Sequence, residues 1–341
     1  MDTRKILTIA IPTFNRASFL KNQLDFLSEE IIGFEDDCEI FVSDNCSDDE
    51  TSVILEEFQQ KLKSVTFQVW RNQQNVGAIK NIIHCINSAR SNHVWVCSDD
   101  DKLHKGVIAN IISNLKAAPE TGLLFLNYSI HSVRTGDSFP KWSDQEEDID
   151  YIDSKSKFEE IVEAPWGWEA LTVLTATVFR TDLAQQSILK WQYSSDCILV
   201  QLYIIGFCTF YGSLRTTKDY YFEYIEGRSF YANTKVYLKM RYLDTSKVFL
   251  KLMEMGYNPQ LCKRRGLEMF TSIQDWLNIA KSLLKRPYFT IKIGIHCIVT
   301  VAQLLLSDPN SSRFAGKGQG HFVLDFGKDF RGCIPVLQIS G

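Results

Sequence analysis

The sequence predicts an α/β fold with a mostly parallel central sheet, followed by a smaller α-helical C-terminal region. Two observations lead to this prediction. Through the first 130 residues, short β-branched and aromatic runs alternate with segments in which apolar residues recur every three or four positions. From about residue 229 onward, the pattern is helical alone. Strands that alternate with helices are typical of a parallel sheet covered by helices, and a purely helical run forms a further layer.

Each element of the first half has its own pattern. Five short apolar runs predict strands at residues 7–12, 39–44, 66–70, 93–97 and 122–128. Four segments with helical spacing of apolar residues lie between them, at residues 17–27, 51–62, 77–89 and 107–115. Pro12 stops the first strand, and acidic residues follow the second and the fourth.

The second half reads as a loop, one more strand and a set of helices. The acidic segment 134–165 predicts a mobile loop that leads into a short helix, and residues 171–179 resemble a strand. Helices are expected at residues 236–255, 261–284 and 291–306, separated by turns that contain Gly or Pro. We therefore predict a sheet domain at 1–226, a basic amphipathic helical region at 227–306 and a loosely ordered tail at 307–341.

Composition excludes several classes of protein. The 341 residues are 45% hydrophobic, which is enough for a large core and argues against disorder. The nine cysteines include no CxxC pair, so the sequence does not indicate a disulfide framework or a zinc site. It indicates a reducing compartment. The start has no signal-like apolar stretch, and the most apolar late segment, 289–306, contains Lys292, His296 and Gln303. We expect a cytoplasmic protein.

Three adjacent acids, Asp99, Asp100 and Asp101, directly follow the fourth predicted strand. Adjacent carboxylates repel one another, so a cation must make this arrangement tolerable. A divalent metal that carries a pyrophosphate meets this need, and hard carboxylate and phosphate oxygens suit Mg²⁺ or Mn²⁺. The alternative is a solvated acidic turn. Ligands bind beyond the carboxyl ends of strands in open α/β sheets, which is where these acids lie.

A second candidate ligand segment starts the third predicted helix, at Asn75, Gly77 and Lys80. A glycine at this position lets the backbone approach a ligand, and a lysine can meet a phosphate. The alternative is an ordinary turn from strand to helix. The common glycine-rich phosphate-binding loops, GxxxxGK[ST] and GxGxxG, do not occur in the sequence.

Four motifs in order carry a resemblance to a known family. They are Ile-Pro-Thr-Phe-Asn-Arg at 11–16, Val-Ser-Asp-Asn-Cys-Ser-Asp-Asp at 42–49, Asn-Val-Gly at 75–77 with Asn81, and Ser-Asp-Asp-Asp at 98–101. The chain resembles the family 2 glycosyltransferases, which have the nucleotide-sugar-binding GT-A fold, over about residues 5–215. A weaker likeness is to bacterial transferases that add O-antigen or capsule side sugars.

The resemblance implies a donor site. It places the base and ribose of a nucleotide-diphosphate sugar near Pro12, Thr13 and Asn15, and it assigns the base contact to Asp44, with Asn45 in the same loop. It makes residues 99–101 the metal-binding element, with Asp100 and Asp101 on Mn²⁺ or Mg²⁺ and Asp99 near the ribose. Ser98 occupies the first slot of the family's motif, so the register of this element has two alternatives.

The resemblance also implies an inverting transfer that needs a general base for the acceptor hydroxyl. The matching stretch is 193–202, where Ser195 replaces the family's usual Glu and Asp196 remains as the candidate base. The alternative role of Asp196 is a helix cap. The family's later basic-Trp element is absent. Trp166, Trp168 and Glu169 are candidate acceptor contacts because indole rings stack on sugars; the alternative is a pair of core tryptophans.

Charge divides the chain unevenly. Residues 1–226 carry 20 Lys or Arg and 34 Asp or Glu, whereas residues 227–306 carry 13 and 4. Basic amphipathic helices of this kind can rest on an anionic membrane, here at its inner face; the alternative is a solvated basic face that covers the sheet domain. No nucleic-acid recognition motif occurs.

Together these features predict a metal-dependent glycosyltransferase that acts on a glycan or lipid-linked acceptor in surface polysaccharide synthesis. Two alternatives remain. The first is an inactive module that binds nucleotide-sugars. The second is a nucleotidyltransferase, which also uses acids at strand ends but usually has a Gly-rich basic loop near its start.

Overall fold

The computed structural model describes residues 4–133, 135–139, 143, 145–164, 167–193, 196–226, 234–271 and 273–307. Within these residues, strands and helices alternate through the first half. The strands are β1 (Leu7–Thr13), β2 (Cys38–Asp44), β3 (Thr66–Arg71), β4 (His93–Val96), β5 (Lys102–Leu103), β6 (Thr121–Ser132), β7 (Ser138–Phe139), β8 (Ile149–Tyr151), β9 (Thr177–Arg180) and β10 (Ser213–Glu226).

The helices pack around this sheet and continue beyond it. They are α1 (Ala17–Glu30), α2 (Thr51–Lys61), α3 (Ala78–Ser88), α4 (Val107–Ala117), α5 (Ser154–Glu163), α6 (Gly167–Leu171), α7 (Thr181–Lys190), α8 (Val200–Tyr211), α9 (Thr234–Lys239), α10 (Thr245–Met255), α11 (Pro259–Leu267), α12 (Ile273–Lys285) and α13 (Pro287–Leu306).

All ten strands form one mixed sheet. The strand order is β3-β2-β1-β4-β9-β6-β10-β5, with β7 beside β6 and β8 beside β10. The four strands β3, β2, β1 and β4 are parallel, and β10 is parallel to β6. Strand β9 runs antiparallel between β4 and β6. The predicted α/β class, with a mostly parallel central sheet and a helical C-terminal region, is confirmed.

The parallel register brings the ends of the first strands to one edge of the sheet. Thr13 pairs with Asp44 across β1 and β2, and Asp44 pairs with Arg71 across β2 and β3. Strand β1 is almost wholly buried, with a strand on each side and α3 packed against it. The polar residues that follow it therefore begin where burial ends.

The second half of the chain corrects several predictions. The expected strand at 171–179 is replaced by the end of α6, a 3-10 turn at Leu174–Ala176 and β9, which starts only at Thr177. The expected loop at 134–165 contains β7 and β8, and it does end in the short helix α5. Pairing with the long strand β10 orders β8 despite its acidic sequence, since Arg215 of β10 forms an ion pair with Asp150.

The helix predicted at 261–284 is two helices. Helix α11 ends at Leu267, and α12 begins at Ile273 after a 3-10 turn. The two sides of this break are fixed by different contacts. Arg265 donates to the backbone oxygens of Val162, Glu163 and Ala164, whereas Asp275 pairs with Arg241. Apolar periodicity does not report such contacts, so the sequence showed one continuous helix.

A helical layer builds the second half of the core. Helix α8 is apolar on all sides and buried, since it packs against α5, α7, α10 and the sheet. Helix α10 in turn supports α11 and α13. Residues 1–307 form one compact unit, so the predicted boundary at 226 stays a prediction. Of the predicted tail, residues 308–341 lie outside the described residues.

One close approach between β6 and the end of α8 requires glycine on both sides. A Cβ on Gly122 would lie 2.5 Å from the backbone oxygen of Cys208 and 2.8 Å from the Cα of Gly212. Both obstacles are backbone atoms, so a side chain here forces α8 away from the sheet.

We expect Gly122→Ala to lower the free energy of unfolding by roughly 1–3 kcal/mol, the usual effect of overpacking. The matched control is Gly294→Ala in α13, where a Cβ would meet nothing within 4 Å. That substitution should raise stability by up to about 1 kcal/mol because alanine favours a helix interior. Urea unfolding of both variants measures the difference. Equal stability of the two variants would contradict the close packing of β6 on α8.

Candidate active site

The loops after β1, β2 and β4 converge at the carboxyl edge of the sheet. A guanidinium from the first loop is clamped between acids of the third. Arg16 Nη1 lies 2.9 Å from Asp99 Oδ1 and 2.8 Å from Asp100 Oδ2. Thr13 Oγ1 donates to Asp99 Oδ2 at 2.8 Å, and Ser98 Oγ donates to Asp100 Oδ1 at 2.6 Å. Two carboxylates thus present one oxygen each to a single cationic nitrogen.

Asp101 faces a different set of partners. Its Oδ2 accepts a hydrogen bond from Thr175 Oγ1, and the backbone of Ile225 in β10 also contributes a hydrogen bond. Burial raises the pKa of Asp101 to about 7. Burial also raises the pKa of Asp99 to about 6, although Arg16 opposes that shift. We predicted Asp100 and Asp101 as the metal pair, whereas Asp99 and Asp100 are the pair that this structure brings onto one cation.

The donor set at Asp99 and Asp100 fits a hard divalent cation. Two carboxylate oxygens already converge on one positive centre, and Mg²⁺ or Mn²⁺ prefers such oxygens. Within the described residues, no cluster of three or more His, Cys, Asp or Glu side chains could hold a metal ion. The protein therefore offers an incomplete shell. Oxygens of a bound phosphate are the natural complement, because Mg²⁺ is commonly held by one or two carboxylates plus substrate phosphates.

The loop after β1 is locked to the loop after β2. Asn15 has a positive φ of 51°, its N–H donates to Ser47 Oγ, and its side chain accepts from the N–H of Asp48. Asp44 is buried, and its two oxygens accept from Arg71 Nη1 at 2.6 Å and from the Ser47 N–H at 2.9 Å. Asp44 therefore shapes this loop.

Amide side chains join the β2 loop to the start of α3. Asn45 donates to Asn75 Oδ1 at 2.9 Å, and its own oxygen accepts from Asn72 and from the Val76 N–H. Asn75 also accepts from the N–H of Gly77, which has a φ of 90°. This conformation favours glycine. The network brings three of the predicted donor-site positions together.

The remaining predicted donor residues flank this network. Lys80 is exposed on the first turn of α3, and Pro12 is half-buried in β1, one residue before Thr13. Neither side chain takes part in the clamp around Asp99 and Asp100.

A cavity of about 970 Å³ adjoins the acids. Asp100 and Asp101 form part of its wall, Arg16 and Ser98 lie beside them, and Trp168, Glu169 and residues 198–201 belong to the helical side. Trp168 is buried and packs edge-on against Phe249. Trp166 lies outside the described residues.

Glu169 has an unusual environment within this wall. Its Oε2 is buried and has no hydrogen-bond partner in the described part of the chain. Burial raises the pKa of Glu169, and the charge of Glu268 adds to the shift while Arg265 and Arg241 oppose it. A carboxylate of this kind can accept a hydrogen bond or a proton from a ligand in the cavity.

Asp196 lies outside the cavity wall, although residues 198–201 belong to it. Its side chain is 60% exposed, and its Oδ2 is 3.6 Å from Lys239 Nζ. The same lysine donates to the backbone oxygen of Asp196 and pairs with buried Asp244. Asp244 in turn accepts from the N–H of Ile198 at 3.0 Å. Helix α8 begins only at Val200. Its N-cap residue, Leu199, forms no side-chain hydrogen bond that caps the helix.

Several residues of the site carried no assignment in the sequence reading. Arg16 ends the motif at residues 11–16, and a cation one residue after Asn15 could have been matched with the three acids. Arg71 could have been found from the register, which sets it beside Asp44. Thr175 gave no signal, because it lies 74 positions from Asp101 and meets it only through the docking of β9.

The chain is similar to known proteins in sequence and in fold. The family described as Glycosyl transferase family 2 matches residues 8–171. Abequosyltransferase RfbV of Salmonella typhimurium (strain LT2) is 28% identical over 105 residues, which are 30% of this chain. The match spans 31% of that relative, less than a third of its length.

Solved structures are similar in fold. TarS 1–349 of S. aureus in complex with UDP has a TM-score of 0.63 at 12% identity, over 88% of this chain and 81% of that one. The mannosyltransferase PcManGT of Pyrobaculum calidifontis was solved with GDP-Man and Mn²⁺. It has a TM-score of 0.50 at 14% identity, over 89% of this chain and 88% of that one. Identities this low show the fold alone, and the predicted GT-A type fold is confirmed.

The incomplete shell at Asp99 and Asp100 generates a prediction. Mn²⁺ should bind weakly alone and more tightly with a nucleoside diphosphate, because phosphate oxygens complete its coordination. Asp100→Asn should remove the gain in nucleotide affinity that the metal gives. Calorimetric titration of UDP and GDP with and without Mn²⁺ measures this gain.

The matched control is Asp182→Asn at the start of α7, which pairs with Arg180 and takes no part in the site. It should behave as wild type. The same nucleotide affinity with and without metal in the wild-type protein would refute the metal site.

Proposed function

We propose that this chain is a glycosyltransferase with a family 2 domain, and that it moves a sugar from a nucleotide-diphosphate sugar to a hydroxyl of a glycan or lipid-linked acceptor. The sequence likeness to an abequosyltransferase supports surface polysaccharide synthesis of the O-antigen or capsule type as its setting. The observation that carries the proposal is the convergence of Asp99 and Asp100 on one cation beside a 970 Å³ cavity.

The donor belongs at the sheet edge. The proteins of similar fold were solved with UDP, UDP-GlcNAc or GDP-Man, which supports a nucleotide-diphosphate sugar here. The linked loops after β1 and β2, with Asn15, Asp44 and Asn45, would hold the nucleoside. Asp99 and Asp100 would hold Mn²⁺ or Mg²⁺, and a metal bound there supplies charge stabilisation for the departing diphosphate. Arg16, beside both acids, is placed to contact the same phosphates.

The acceptor belongs at the helical side of the cavity. Its hydroxyl needs to lose a proton as it attacks the anomeric carbon, while the bond from that carbon to the diphosphate breaks and the configuration inverts. We propose Asp196 as the base, because it is the acid at the start of the α8 segment that forms part of the wall. We assign Glu169 to the acceptor, whose hydroxyl would donate to the unpartnered Oε2. Trp168 would border the same space.

The free cysteines support a proposal for the compartment. Eight cysteines lie in the described residues, and all are free. Burial raises the pKa of several of them, including Cys85 and Cys97, so these side chains act as core residues. Free thiols in this number support a reducing compartment, and we propose the cytoplasm.

The transfer itself can be tested with UDP- and GDP-sugars and Mn²⁺. A transferase releases nucleoside diphosphate slowly by hydrolysis of its donor, and Asp100→Asn should abolish the release. An inactive nucleotide-sugar-binding module would bind the donor without any release. A nucleotidyltransferase would instead form pyrophosphate from a nucleoside triphosphate and a sugar phosphate.

Two variants distinguish the proposed roles of the Asp196 and Glu169 carboxylates. Asp196→Asn is nearly isosteric but cannot accept a proton, so it should lower the transfer rate by roughly 10²–10⁴-fold and leave donor affinity unchanged. Glu169→Gln should chiefly raise the KM for the acceptor, since an amide still accepts a hydrogen bond. Initial rates at varied acceptor concentration, together with calorimetric donor affinity, measure both effects.

If Asp196→Asn kept full activity and Glu169→Gln lost roughly 10²–10⁴-fold of the transfer rate, the base would be Glu169. An activity loss in Asp196→Asn that tracks a fall in melting temperature would leave it a structural residue. Asp196→Ala serves as the control for a helix-capping role. If Asp196 only caps a helix, Asp196→Ala should lose about 1 kcal/mol of stability, whereas Asp196→Asn should leave stability and activity unchanged.

A further inference from the structure

Helices α12 and α13 form a hairpin, residues 273–306, with a large exposed apolar surface. In α13, Tyr288, Ile291, Ile298 and Leu305 are each more than half exposed. Their spacing of three, seven and seven places them on one stripe of the helix. The partly exposed Ile295 and Ala302 fill the same stripe. In α12, Trp276, Leu277, Leu283 and Leu284 form a second exposed apolar group, with Leu284 86% exposed.

Patches of this kind on a folded protein mark a contact surface. We propose that the α12–α13 hairpin docks this protein flat on the surface of an anionic lipid bilayer. The proposal does not depend on which reaction the cavity carries out.

The positive charge of the hairpin favours an anionic partner. Residues 276–307 contain four Lys or Arg and no Asp or Glu. The four are Lys281, Lys285, Arg286 and Lys292; all are exposed, and none forms an ion pair within the described residues. Basic side chains that border an apolar stripe suit anionic headgroups. Trp276 and Tyr288 have the amphipathic rings that favour the membrane interface.

Two other possible partners of the hairpin surface fit its charge less well. A second copy of the hairpin would bring two sets of like charges together, and Asp275, the acid of the hairpin, is buried and paired with Arg241. The segment 308–341 carries four Lys or Arg and three Asp, so it offers little complementary charge.

The hairpin is built to lie on a membrane rather than to cross it. Helix α13 is the one helix in the described residues that is long and apolar enough to span a bilayer, with a mean hydropathy of 1.8. One of its faces, however, is covered by protein. Cys297, Thr300 and Leu304 are buried, and Cys297 Sγ donates to the backbone oxygen of Tyr242 at 2.8 Å. A helix that packs against α10 and α11 along one side can present only its opposite side to lipid.

Other basic residues of the region 227–306 are paired with acids of the protein. Lys239 pairs with Asp196 and Asp244, and Arg241 pairs with Asp275. These two side chains are committed inside the protein. The basic residues of the hairpin remain available.

Vesicle flotation tests the docking surface. The full chain should float with phosphatidylglycerol vesicles at low salt, detach as salt rises, and stay behind with phosphatidylcholine vesicles. The double variant Lys281→Glu with Lys285→Glu should weaken binding at least twenty-five-fold, about fivefold for each lysine lost. The double variant Leu284→Gln with Ile298→Gln should weaken it roughly tenfold or more.

The matched control is Ile152→Gln with Leu189→Gln, because these side chains are as exposed, at 107% and 84%, but lie outside the hairpin. It should bind vesicles as wild type does. Donor hydrolysis with Mn²⁺ should be unchanged in all three double variants, so failure of docking and failure of the transferase proposal are distinguishable.

Three results would overturn the proposal. They are equal binding to both vesicle types, vesicle binding that both hairpin variants retain, and lipid-free self-association that the Leu284 and Ile298 substitutions abolish. The last result would identify a second copy of the chain as the occupant.

Discussion

Two neighbouring carboxylates, Asp99 and Asp100, sit at the end of a buried strand where their repulsion is poorly screened, and Arg16 balances both of them. The rest of the site depends on this balance. Because Arg16 follows β1 and the acids follow β4, the ion pairs fix two loops against each other. Thr13 strengthens the connection, and Asn15 extends it to the β2 loop through Ser47. Any cation that replaces the guanidinium at these oxygens enters a site whose shape the protein has already set.

Much of this arrangement could be predicted from the sequence. The parallel strands, the acids at their ends and the helical second half follow from apolar periodicity and from strand polarity. The contacts that the sequence does not show have one cause. Asp101 looks equivalent to its two neighbours in the sequence, but its side chain contacts Thr175 and the backbone of β10, which are remote in sequence. The break between α11 and α12 likewise depends on what Arg265 and Asp275 contact. Periodicity reports burial along one element, and it cannot report a partner from elsewhere in the chain.

The cavity is shared between two kinds of scaffold. Loops at the sheet edge supply its charged wall, and α6 and the start of α8 supply its mostly apolar wall. Rigid backbone pairing holds the first wall, whereas side-chain packing on α10 holds the second. Changes in the helical wall can therefore alter what the cavity accepts without disturbing the acids. This division also explains why the acids are easy to recognise in the sequence and the opposite wall is not.

The antiparallel strand β9 has a consequence for how the chain folds. Strand β4 pairs with β1 on one side, and its other side stays open until residues 177–180 arrive. Thr175, just before β9, also holds the N–H of Ser98 and the side chain of Asp101. During synthesis, the first four strands therefore leave the ribosome with an unpaired hydrophobic edge and an unfinished acidic loop. Such non-local closure is slow, and open strand edges are prone to pair with other chains. The nascent chain is thus most exposed to aggregation, and most in need of a chaperone, before β9 adds to the sheet.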